Sequence, residues 1–249
     1  MALTPRHWLL SARLSDGVVV RGQNRSGYGG RGVYLDGDRI EPEFEHLTRF
    51  LPDEGVFVDV GASTGLFALK AAKHFRNRGL VLALEPVPEV LAVFAQNVAA
   101  NGLTNVRYRG VCAADFTGPA AMYMNKGQPA SYSIKMHNEG TPSFSVLTVT
   151  LDDLARWEGI DRLDYLKIDT MGSEEEILEG GRETIQRFRP IIQAEVIKEE
   201  FSLPEGYAPY AIDGSPNILM FPEGHEKIAV ALGLEWKQVE VGPEIFKHL

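Results

Sequence analysis

The sequence predicts an α/β protein built around a mostly parallel sheet of the Rossmann-like kind, and three stretches carry this prediction. Val56–Val60 is an apolar run rich in β-branched residues, which is typical of a strand buried on both faces. A glycine turn and a helical pattern to about residue 75 follow it, and a second apolar run, Leu80–Leu84, comes next. The order strand, helix, strand predicts parallel strands joined by right-handed crossovers, with ligands beyond their carboxyl ends.

Residues 1–50 are expected to form an N-terminal extension with short strands and a helix, ahead of a main domain at 51–249. Alternating residues at 17–21 and 32–35 predict the short strands, and the glycine-rich stretch 22–32 is typical of a loop. That loop is either a lid over the site or a flexible connection. The acidic residues that begin near position 41 favour a helix running through Phe50, because negative charge is favourable in a first helical turn.

The segments after the second strand follow the same logic. Pro88 at a first helical position, with apolar residues at helical spacing behind it, predicts a helix that stops at Asn101. Across 118–150 the helical period disappears, and short alternating pieces predict an antiparallel hairpin inserted between the third and fourth parallel strands. The other predicted elements are a third strand at 106–113, a helix at 151–157, further strands at 163–168 and 191–196, and terminal strands at 209–220, 228–232 and 236–241.

Composition indicates a globular protein with a sizeable core. Of the 249 residues, 44% are hydrophobic and 24% are charged, and no segment approaches the ~18 unbroken apolar residues of a membrane span. A net charge of −9 disfavours a general nucleic-acid surface, because phosphate binding needs clustered lysine and arginine. The single cysteine, Cys112, excludes an internal disulfide framework, and the N-terminus lacks a signal-peptide core. We therefore expect a cytoplasmic protein with a small-molecule substrate.

The glycine turn after the first strand is the strongest candidate ligand site. Gly61 and Gly65 allow the backbone to come close to a bound molecule. A helix that starts near Ser63 or Thr64 directs free N–H groups and a positive dipole end toward it. Asp59 would repel a pyrophosphate, but it suits a ligand that carries an ammonium and a sulfonium, such as S-adenosylmethionine (SAM). The alternatives are an ordinary strand–helix turn or a dinucleotide site with a degenerate fingerprint.

Positions after the second and third strands extend this predicted site. Glu85 closes the second strand, near the spacing of about 20 residues at which an acidic side chain meets ribose hydroxyls in nucleotide folds. The alternative is a solvated loop glutamate. By the same geometry, residues 112–115 would flank an adenine ring. Cys112 itself is better interpreted as a small packing residue than as a nucleophile, because no activating basic neighbour is evident.

Blocks of sequence at the predicted strand ends carry a family resemblance. They are Asp-Val-Gly-Ala-Ser-Thr-Gly at 59–65, Glu-Pro-Val-Pro at 85–88, Thr-Leu-Asp-Asp-Leu at 150–154 and Leu-Lys-Ile-Asp-Thr-Met-Gly-Ser-Glu at 166–174. In combination, from about residue 41 to 196, they resemble the FkbM family of SAM-dependent methyltransferases. The resemblance implies the class I methyltransferase fold, with a seven-stranded sheet, and methylation of hydroxyl groups on natural products, glycans or glycolipids.

The resemblance also implies roles for individual residues. Carried over by position, the methionine part of SAM would be lined by Asp59, Gly61, Ser63 and Gly65, the ribose by Glu85, and the adenine by Cys112 and Ala113. Within the same blocks Thr64 and Pro86 are also expected to bind the cofactor, as is Glu41 ahead of the first strand. In one departure, many members have Val-Glu-Gly where this chain has Thr-Met-Gly at 170–172. If that glutamate handles substrate, Met171 changes the acceptor; otherwise it is a subfamily variant.

Methyl transfer to a hydroxyl requires alignment of the nucleophile and a group that removes its proton. Asp169 is the first candidate base, because the end of the fourth strand faces the methyl donor in this fold. Glu195, one strand over, is the second, and His137 in the inserted hairpin is the third, since histidine titrates near working pH. The carboxylates could instead be structural, and His137 could simply lie on the surface. Asp169 and Glu195 would suit magnesium, but no compact metal spacing is present, so we expect a metal-independent enzyme.

The leading expectation is a SAM-dependent O-methyltransferase with a small-molecule or glycan acceptor. N-methylation of a small metabolite stays open. A nicotinamide-dependent oxidoreductase belongs to a second class, disfavoured because the three-glycine fingerprint is absent and Asp59 stands where a pyrophosphate would approach. A non-catalytic SAM-binding module is a third class. The sequence names neither the acceptor nor the oligomeric state.

Overall fold

The computed structural model alternates strands and helices much as the sequence predicts. It describes residues 8–24, 30–124, 132–134, 144–170, 172–195, 201–212, 215, 217–225, 228 and 236–238. The strands are β1 (Leu9–Arg13), β2 (Val19–Gln23), β3 (Val56–Val60), β4 (Leu80–Leu84), β5 (Val106–Arg109), β6 (Cys112–Ala113), β7 (Gly118–Met124), β8 (Tyr132–Ser133), β9 (Phe144–Val149), β10 (Tyr165–Ile168), β11 (Ile191–Glu195), β12 (Tyr207–Ile212), β13 (Asn217–Pro222) and β14 (Trp236–Gln238). The helices are α1 (Gly30–Asp36), α2 (Pro42–Phe50), α3 (Leu66–His74), α4 (Pro88–Ala100), α5 (Leu151–Glu158), α6 (Glu174–Glu179) and α7 (Arg182–Phe188), with a short 3-10 helix at Gly37–Arg39.

The central sheet confirms the predicted α/β class. Its strand order is β14-β12-β13-β11-β10-β3-β4-β5. Strands β11, β10, β3, β4 and β5 run parallel, and β13, β12 and β14 continue the sheet with antiparallel pairings. The described sheet therefore has eight strands where seven were expected, because β14 adds an edge beyond β12. The carboxyl ends of the five parallel strands lie along one edge.

A second sheet confirms the inserted hairpin and corrects the third strand. Its order is β6-β9-β7-β8, with β7 antiparallel to β9. The single strand predicted at 106–113 is two strands: β5 pairs with β4 in the central sheet, and β6 pairs with β9 in the second. The chain changes sheets around Gly110, after the largely exposed edge strand β5. The insertion thereby begins beside the carboxyl end of β4.

The N-terminal region contains a hairpin and a helix where the sequence suggested separate short strands. Strand β2 was predicted approximately, and it pairs antiparallel with β1. The strand predicted at 32–35 is wrong, because these residues belong to α1. Tertiary packing favours the helix here over the local strand pattern, because α1 packs closely against β2. A Cβ on Gly30 would be 2.2 Å from the carbonyl carbon of Gly22. The ends of the loop predicted at 22–32 belong to β2 and α1, and residues 25–29 lie outside the described residues, so a lid stays a prediction.

The last predicted strands are partly correct. The stretch predicted as one strand at 209–220 is two antiparallel strands, β12 and β13. The predicted strand at 228–232 is not found at Ile228, which is helical, and the rest of that stretch lies outside the described residues. The predicted strand at 236–241 begins as β14. No helix in the described part of the chain has the length and apolar character needed to cross a membrane.

Apolar side chains fill both faces of the central sheet and fix its position. On one face, α2, α3 and α4 pack through a cluster that includes Phe44, Leu47, Phe67, Phe75 and Phe94. On the other, α5, α6 and α7 contribute Leu151, Leu154, Ile177 and Ile185. Successive residues of one strand belong to different clusters, because side chains along a β-strand point alternately to the two faces of the sheet. This three-layer arrangement leaves the carboxyl ends of the strands for ligand binding.

Candidate functional site

The loop between β3 and α3 is held to β4 by backbone hydrogen bonds. The N–H groups of Gly61 and Ala62 both donate to the carbonyl of Leu84, at 3.0 and 2.9 Å. Gly61, Ser63 and Gly65 have positive φ angles of 76°, 51° and 92°. Helix α3 begins at Leu66 with Gly65 as its N-cap, slightly later than the predicted start near Ser63 or Thr64. The loop therefore turns sharply at the edge where the sequence predicts a ligand.

The glycines of this loop are required by contacts within the protein. A Cβ on Gly61 would lie 1.9 Å from the carbonyl oxygen of Asp169. A Cβ on Gly65 would lie 2.2 Å from the ring of Phe94 in α4. Their positive φ angles add a second reason, because residues with a Cβ are strained there. The predicted close approach of this backbone to a ligand stays a prediction.

Asp59 is buried beneath the glycine loop. Its side chain is 1% exposed; Oδ2 accepts a hydrogen bond from the N–H of Ala68 at 3.1 Å, and Oδ1 lies 3.9 Å from Lys167 Nζ. Burial, reinforced by the charge of Asp169, raises the pKa of Asp59 to about 6, although Lys167 and the Ala68 N–H oppose the shift. Asp59 thus caps the first turn of α3 from within. Its predicted contact with the methionine part of SAM stays a prediction.

Glu85 joins the loops that follow β3 and β4. Its Oε2 accepts the N–H of Ser63, and its Oε1 accepts the N–H of Val87, each at 2.9 Å. Burial raises the pKa of Glu85 to about 7 against the opposing effect of these donors. Burial and the charge of Glu85 raise the pKa of Cys112 to about 12. The thiol therefore lies close enough to sense the charge of Glu85, and it is not a thiolate nucleophile near neutral pH.

The other residues predicted around the cofactor lie in the same part of the sheet edge. Pro86 is half-buried beside Glu85, and Ala113 is buried next to Cys112 in β6. Thr64 is buried, and its Oγ1 has no hydrogen-bond partner among the described residues. The structure therefore brings the residues predicted for ribose and adenine together.

A buried lysine that sequence analysis did not assign lies between the acids. Lys167 is 3% exposed, its Nζ is 3.1 Å from Asp169 Oδ2, and it lies 4.7 Å from the centre of the Phe67 ring. Burial disfavours its charge, but the carboxylates of Asp169, Asp59 and Glu41 outweigh burial, so the pKa of Lys167 is raised. The signal in the sequence is a lysine inside an otherwise apolar strand.

Glu195 and Glu41 complete the acidic end of the site. Glu195 ends β11 and pairs in register with Asn217 of β13, whose Nδ2 lies 3.4 Å from both Glu41 Oε2 and Glu43 Oε2. Burial, reinforced by the charges of Asp169 and Glu174, raises the pKa of Glu195 to about 7. Burial also raises the pKa of Glu41, partly opposed by Lys167. The structure thus gathers three predicted residues, Glu41, Asp169 and Glu195. Asn217 and the buried Glu43 had no local sequence signal.

The loop after β10 is closed by Glu174. Its Oε1 accepts hydrogen bonds from the N–H and hydroxyl groups of Thr170, at 3.0 and 3.1 Å, and from the N–H of Gly172 at 3.1 Å. Glu174 is 4% exposed, so this carboxylate faces its own loop. Met171 and His137 lie outside the described residues, and their expected roles stay predictions.

The charge of this edge fits a cationic ligand. Carboxylates surround one buried lysine, and Oδ1 of the buried Asp59 has no hydrogen-bond partner among the described residues. An ammonium or sulfonium group is favoured in such a field, whereas a phosphate is repelled. Among the described residues each oxygen of Glu85 accepts one N–H, which leaves lone pairs for hydroxyl donors. The residues therefore suit SAM. In the described part of the chain, no three His, Cys, Asp or Glu side chains are grouped as a metal site.

Three of the known proteins that are similar to this chain are methyltransferases. Methyltransferase sdnD of Sordaria araneosa is 27% identical over 162 residues, which are 52% of this chain and 61% of that protein. The 2-O-methyltransferase NoeI of Sinorhizobium fredii (strain NBRC 101917 / NGR234) is 23% identical over 86% of this chain and 93% of its own length. The crystal structure of methyltransferase FkbM from Methylobacillus flagellatus KT aligns over 69% of this chain and 44% of its own, at 19% identity and a TM-score of 0.42.

A family model gives the assignment. The model of the methyltransferase FkbM domain matches residues 59–223. This interval begins at the buried aspartate of β3 and ends just after β13, so it contains the glycine loop, Glu85, Lys167, Asp169 and Glu195. The resemblance seen in the sequence is confirmed, and the chain belongs to the FkbM methyltransferase family.

Proposed function

We propose that this chain is a SAM-dependent O-methyltransferase that acts on a hydroxyl group of a sugar, glycan or secondary metabolite. The observation that carries the proposal is the position of Glu195, a half-buried carboxylate with a pKa of about 7 at the strand end beside Asp169. A base with a pKa near working pH is suited to deprotonating a hydroxyl group during its attack. The similarity to a 2-O-methyltransferase over 86% of this chain supports the same class of acceptor.

The cofactor would be held by the residues at the ends of β3, β4 and β6. SAM supplies, when bound, a methyl group activated by a sulfonium. Glu85 would accept the ribose hydroxyls, since its bonds to Ser63 and Val87 already fix its carboxylate at the edge. Cys112 and Ala113 would contact the adenine. Asp59 would hold the start of α3 through Oδ2, and its Oδ1, which has no hydrogen-bond partner among the described residues, would face the methionine part of SAM.

We propose Glu195 as the general base in preference to Asp169, which was the first candidate from the sequence. Asp169 is held in an ion pair with Lys167 at 3.1 Å. Glu195 has no ion pair and no side-chain hydrogen bond among the described residues, so its carboxylate is available to an acceptor. We propose that Glu195 takes the proton of the acceptor hydroxyl while that oxygen attacks the methyl carbon. Asp169, fixed by Lys167, would orient the acceptor.

Transfer of an isotopically labelled methyl group from SAM tests this proposal. A panel of sugars, glycans and hydroxylated metabolites is compared with amines of similar size, and the labelled product is analysed for an ether or an amine. We expect ether products, and we expect Glu195→Gln to lower kcat by about 100-fold or more. Glu183→Gln is the matched control, since this exposed side chain lies away from the site. Labelled amines without ethers, or full turnover by Glu195→Gln, would refute O-methylation by this route.

A further inference from the structure

Helix α4 binds the backbone of β2 through a pair of asparagines. Asn97 Oδ1 accepts the N–H of Arg21 at 3.0 Å, and Asn97 Nδ2 donates to the carbonyl of Arg21 at 2.8 Å. One turn later, Asn101 Oδ1 accepts the N–H of Val19 at 2.8 Å, and Asn101 Nδ2 donates to the carbonyl of Val19 at 2.7 Å. Each side-chain amide thus occupies the place of a neighbouring strand at the edge of the β1–β2 hairpin.

The third hydrogen bond of each asparagine distinguishes the pair. Asn97 Nδ2 also donates to the carbonyl of Thr64 in the glycine loop, at 2.9 Å. The corresponding bond of Asn101 goes to the carbonyl of Asn97 within the same helix, at 2.7 Å. An amide NH2 has two hydrogens, so both donors of each side chain are used. Asn97 therefore joins the N-terminal hairpin to the loop at the candidate site, and Asn101 joins the hairpin to the helix alone.

The orientation of Asn97 depends on the hairpin. Its side chain is fully buried. The N–H of Arg21 requires the amide oxygen on one side, which leaves one hydrogen for the Arg21 carbonyl and one for Thr64. If the side-chain amide of Asn97 were flipped, its NH2 would face the N–H of Arg21, and two donors would meet. Docking of the hairpin therefore selects the Asn97 orientation that also binds the carbonyl of Thr64. Phe94, one turn earlier in α4, contacts the same loop at Gly65.

We propose that Asn97 is a positioning residue that couples the β1–β2 hairpin to the cofactor loop at 61–65. The inference rests on the proposed function, in which this loop lies against SAM. When the hairpin is docked, Asn97 holds the carbonyl of Thr64 and so fixes the conformation of the loop. The loop then loses less conformational entropy when the cofactor binds. Coupling of this kind is reciprocal, so a ligand at the loop stabilises the docked hairpin to the same extent.

Paired variants test the coupling. Asn97→Ala and Asn101→Ala each remove both hydrogen bonds to the backbone of β2, but only Asn97→Ala removes the bond to Thr64. The dissociation constant of S-adenosylhomocysteine, the demethylated product of SAM, is measured by calorimetry with folding checked by circular dichroism. We expect about a 10-fold weaker affinity for Asn97→Ala, equal to about 1.4 kcal/mol, and less than about a 2-fold change for Asn101→Ala. In turnover, Asn97→Ala should raise KM for SAM more than it lowers kcat.

Hydrogen exchange of the wild-type protein tests the same coupling without a variant. The amides of Arg21 and Val19 should exchange more slowly when S-adenosylhomocysteine is saturating, while the amides of β7 in the second sheet should be unchanged. If wild-type protein does not bind S-adenosylhomocysteine, the proposed function fails. If it binds but the hairpin amides show no added protection, or if the two variants lose affinity equally, the coupling is refuted and the proposed function stands.

Discussion

Glu85, which we propose binds the ribose of SAM, is buried, and this burial should destabilise the cofactor-free protein at neutral pH. The variant Glu85→Gln tests this expectation. The folded-state pKa of about 7 lies above the ordinary value of 4.5, mainly because the side chain is buried. When such a carboxyl group is protonated, it stabilises the folded state relative to the unfolded state. Its contribution to stability is therefore present at low pH and is lost as the pH rises from about 4.5 through about 7.

The magnitude follows from the two pKa values. Through Glu85 alone, the free energy of unfolding should fall by about 2.5 kcal/mol between about pH 5 and about pH 8. Glutamine does not titrate, and its single oxygen accepts only one of the N–H groups that the carboxylate binds. The lost hydrogen bond lowers the stability of the variant by an amount that is independent of pH. The stability of the variant relative to wild type should therefore increase toward high pH by about 2.5 kcal/mol.

Urea unfolding without cofactor, at intervals from about pH 5 to about pH 8, measures this difference. Glu54→Gln serves as the control, because Glu54 is exposed in a loop and its replacement should leave the pH dependence unchanged. A difference between Glu85→Gln and wild type that is the same at every pH would refute the reasoning. It would mean that Glu85 is solvated enough in the folded protein to keep an ordinary pKa.

The remaining predictions concern the loop, the lysine, the base and metal dependence. Gly61→Ala should destabilise the protein by more than about 3 kcal/mol, because its Cβ would overlap the carbonyl of Asp169. Gly102→Ala, with a similar φ and no described residue within 4 Å of the new Cβ, should lose only about 1 kcal/mol, and urea unfolding compares the two variants. Lys167→Met should destabilise by about 3–5 kcal/mol in the same assay, since it leaves the buried carboxylate of Asp59 and the partly exposed carboxylate of Asp169 without their cation. Unchanged stability would contradict the ion-pair assignment. In a pH–rate profile, kcat/KM of wild type should rise through about pH 7 as Glu195 loses its proton, and Glu195→Gln should lack this rise. EDTA should leave activity unchanged in a methyl-transfer assay; loss restored by magnesium would show that the enzyme uses a metal.

The pattern of strands and helices could be predicted from the sequence because the signals for it are local. Buried parallel strands appear as short apolar runs, and the amphipathic helices between them follow a period of 3.6 residues, as α4 does. Topology then places the ends of β3, β4, β10 and β11 on one edge, which is why Asp59, Glu85, Asp169 and Glu195 could be named in advance.

The features that were missed depend on contacts between distant parts of the chain. Helix α1 contains Gly30 and Gly32, which are poor helix formers, and it is formed by packing against β2 and Ile40. Asn101 was predicted only as the end of a helix and Asn97 was not singled out, because nothing near them in sequence indicates that they bind β2. Lys167 was visible as a lysine in an apolar strand, but its partners became known only when β3 and β10 were placed side by side.

Three acids at this edge support loops, and Glu195, which we propose as the base, differs from them. Asp59, Glu85 and Glu174 each accept N–H groups of an adjoining loop or helix start, so the backbone of the site is fixed before a ligand arrives. A preorganised site loses less conformational entropy on binding, and replacement of any of these acids must therefore change stability and cofactor affinity together. Among the described residues Glu195 makes no such bond. Glu195→Gln should therefore reduce turnover without releasing a loop, although the raised pKa of Glu195 should also make the variant more stable relative to wild type toward high pH, as for Glu85→Gln. Because no hydrogen bond in the described part of the chain ties Glu195 to a loop, we propose it as the base.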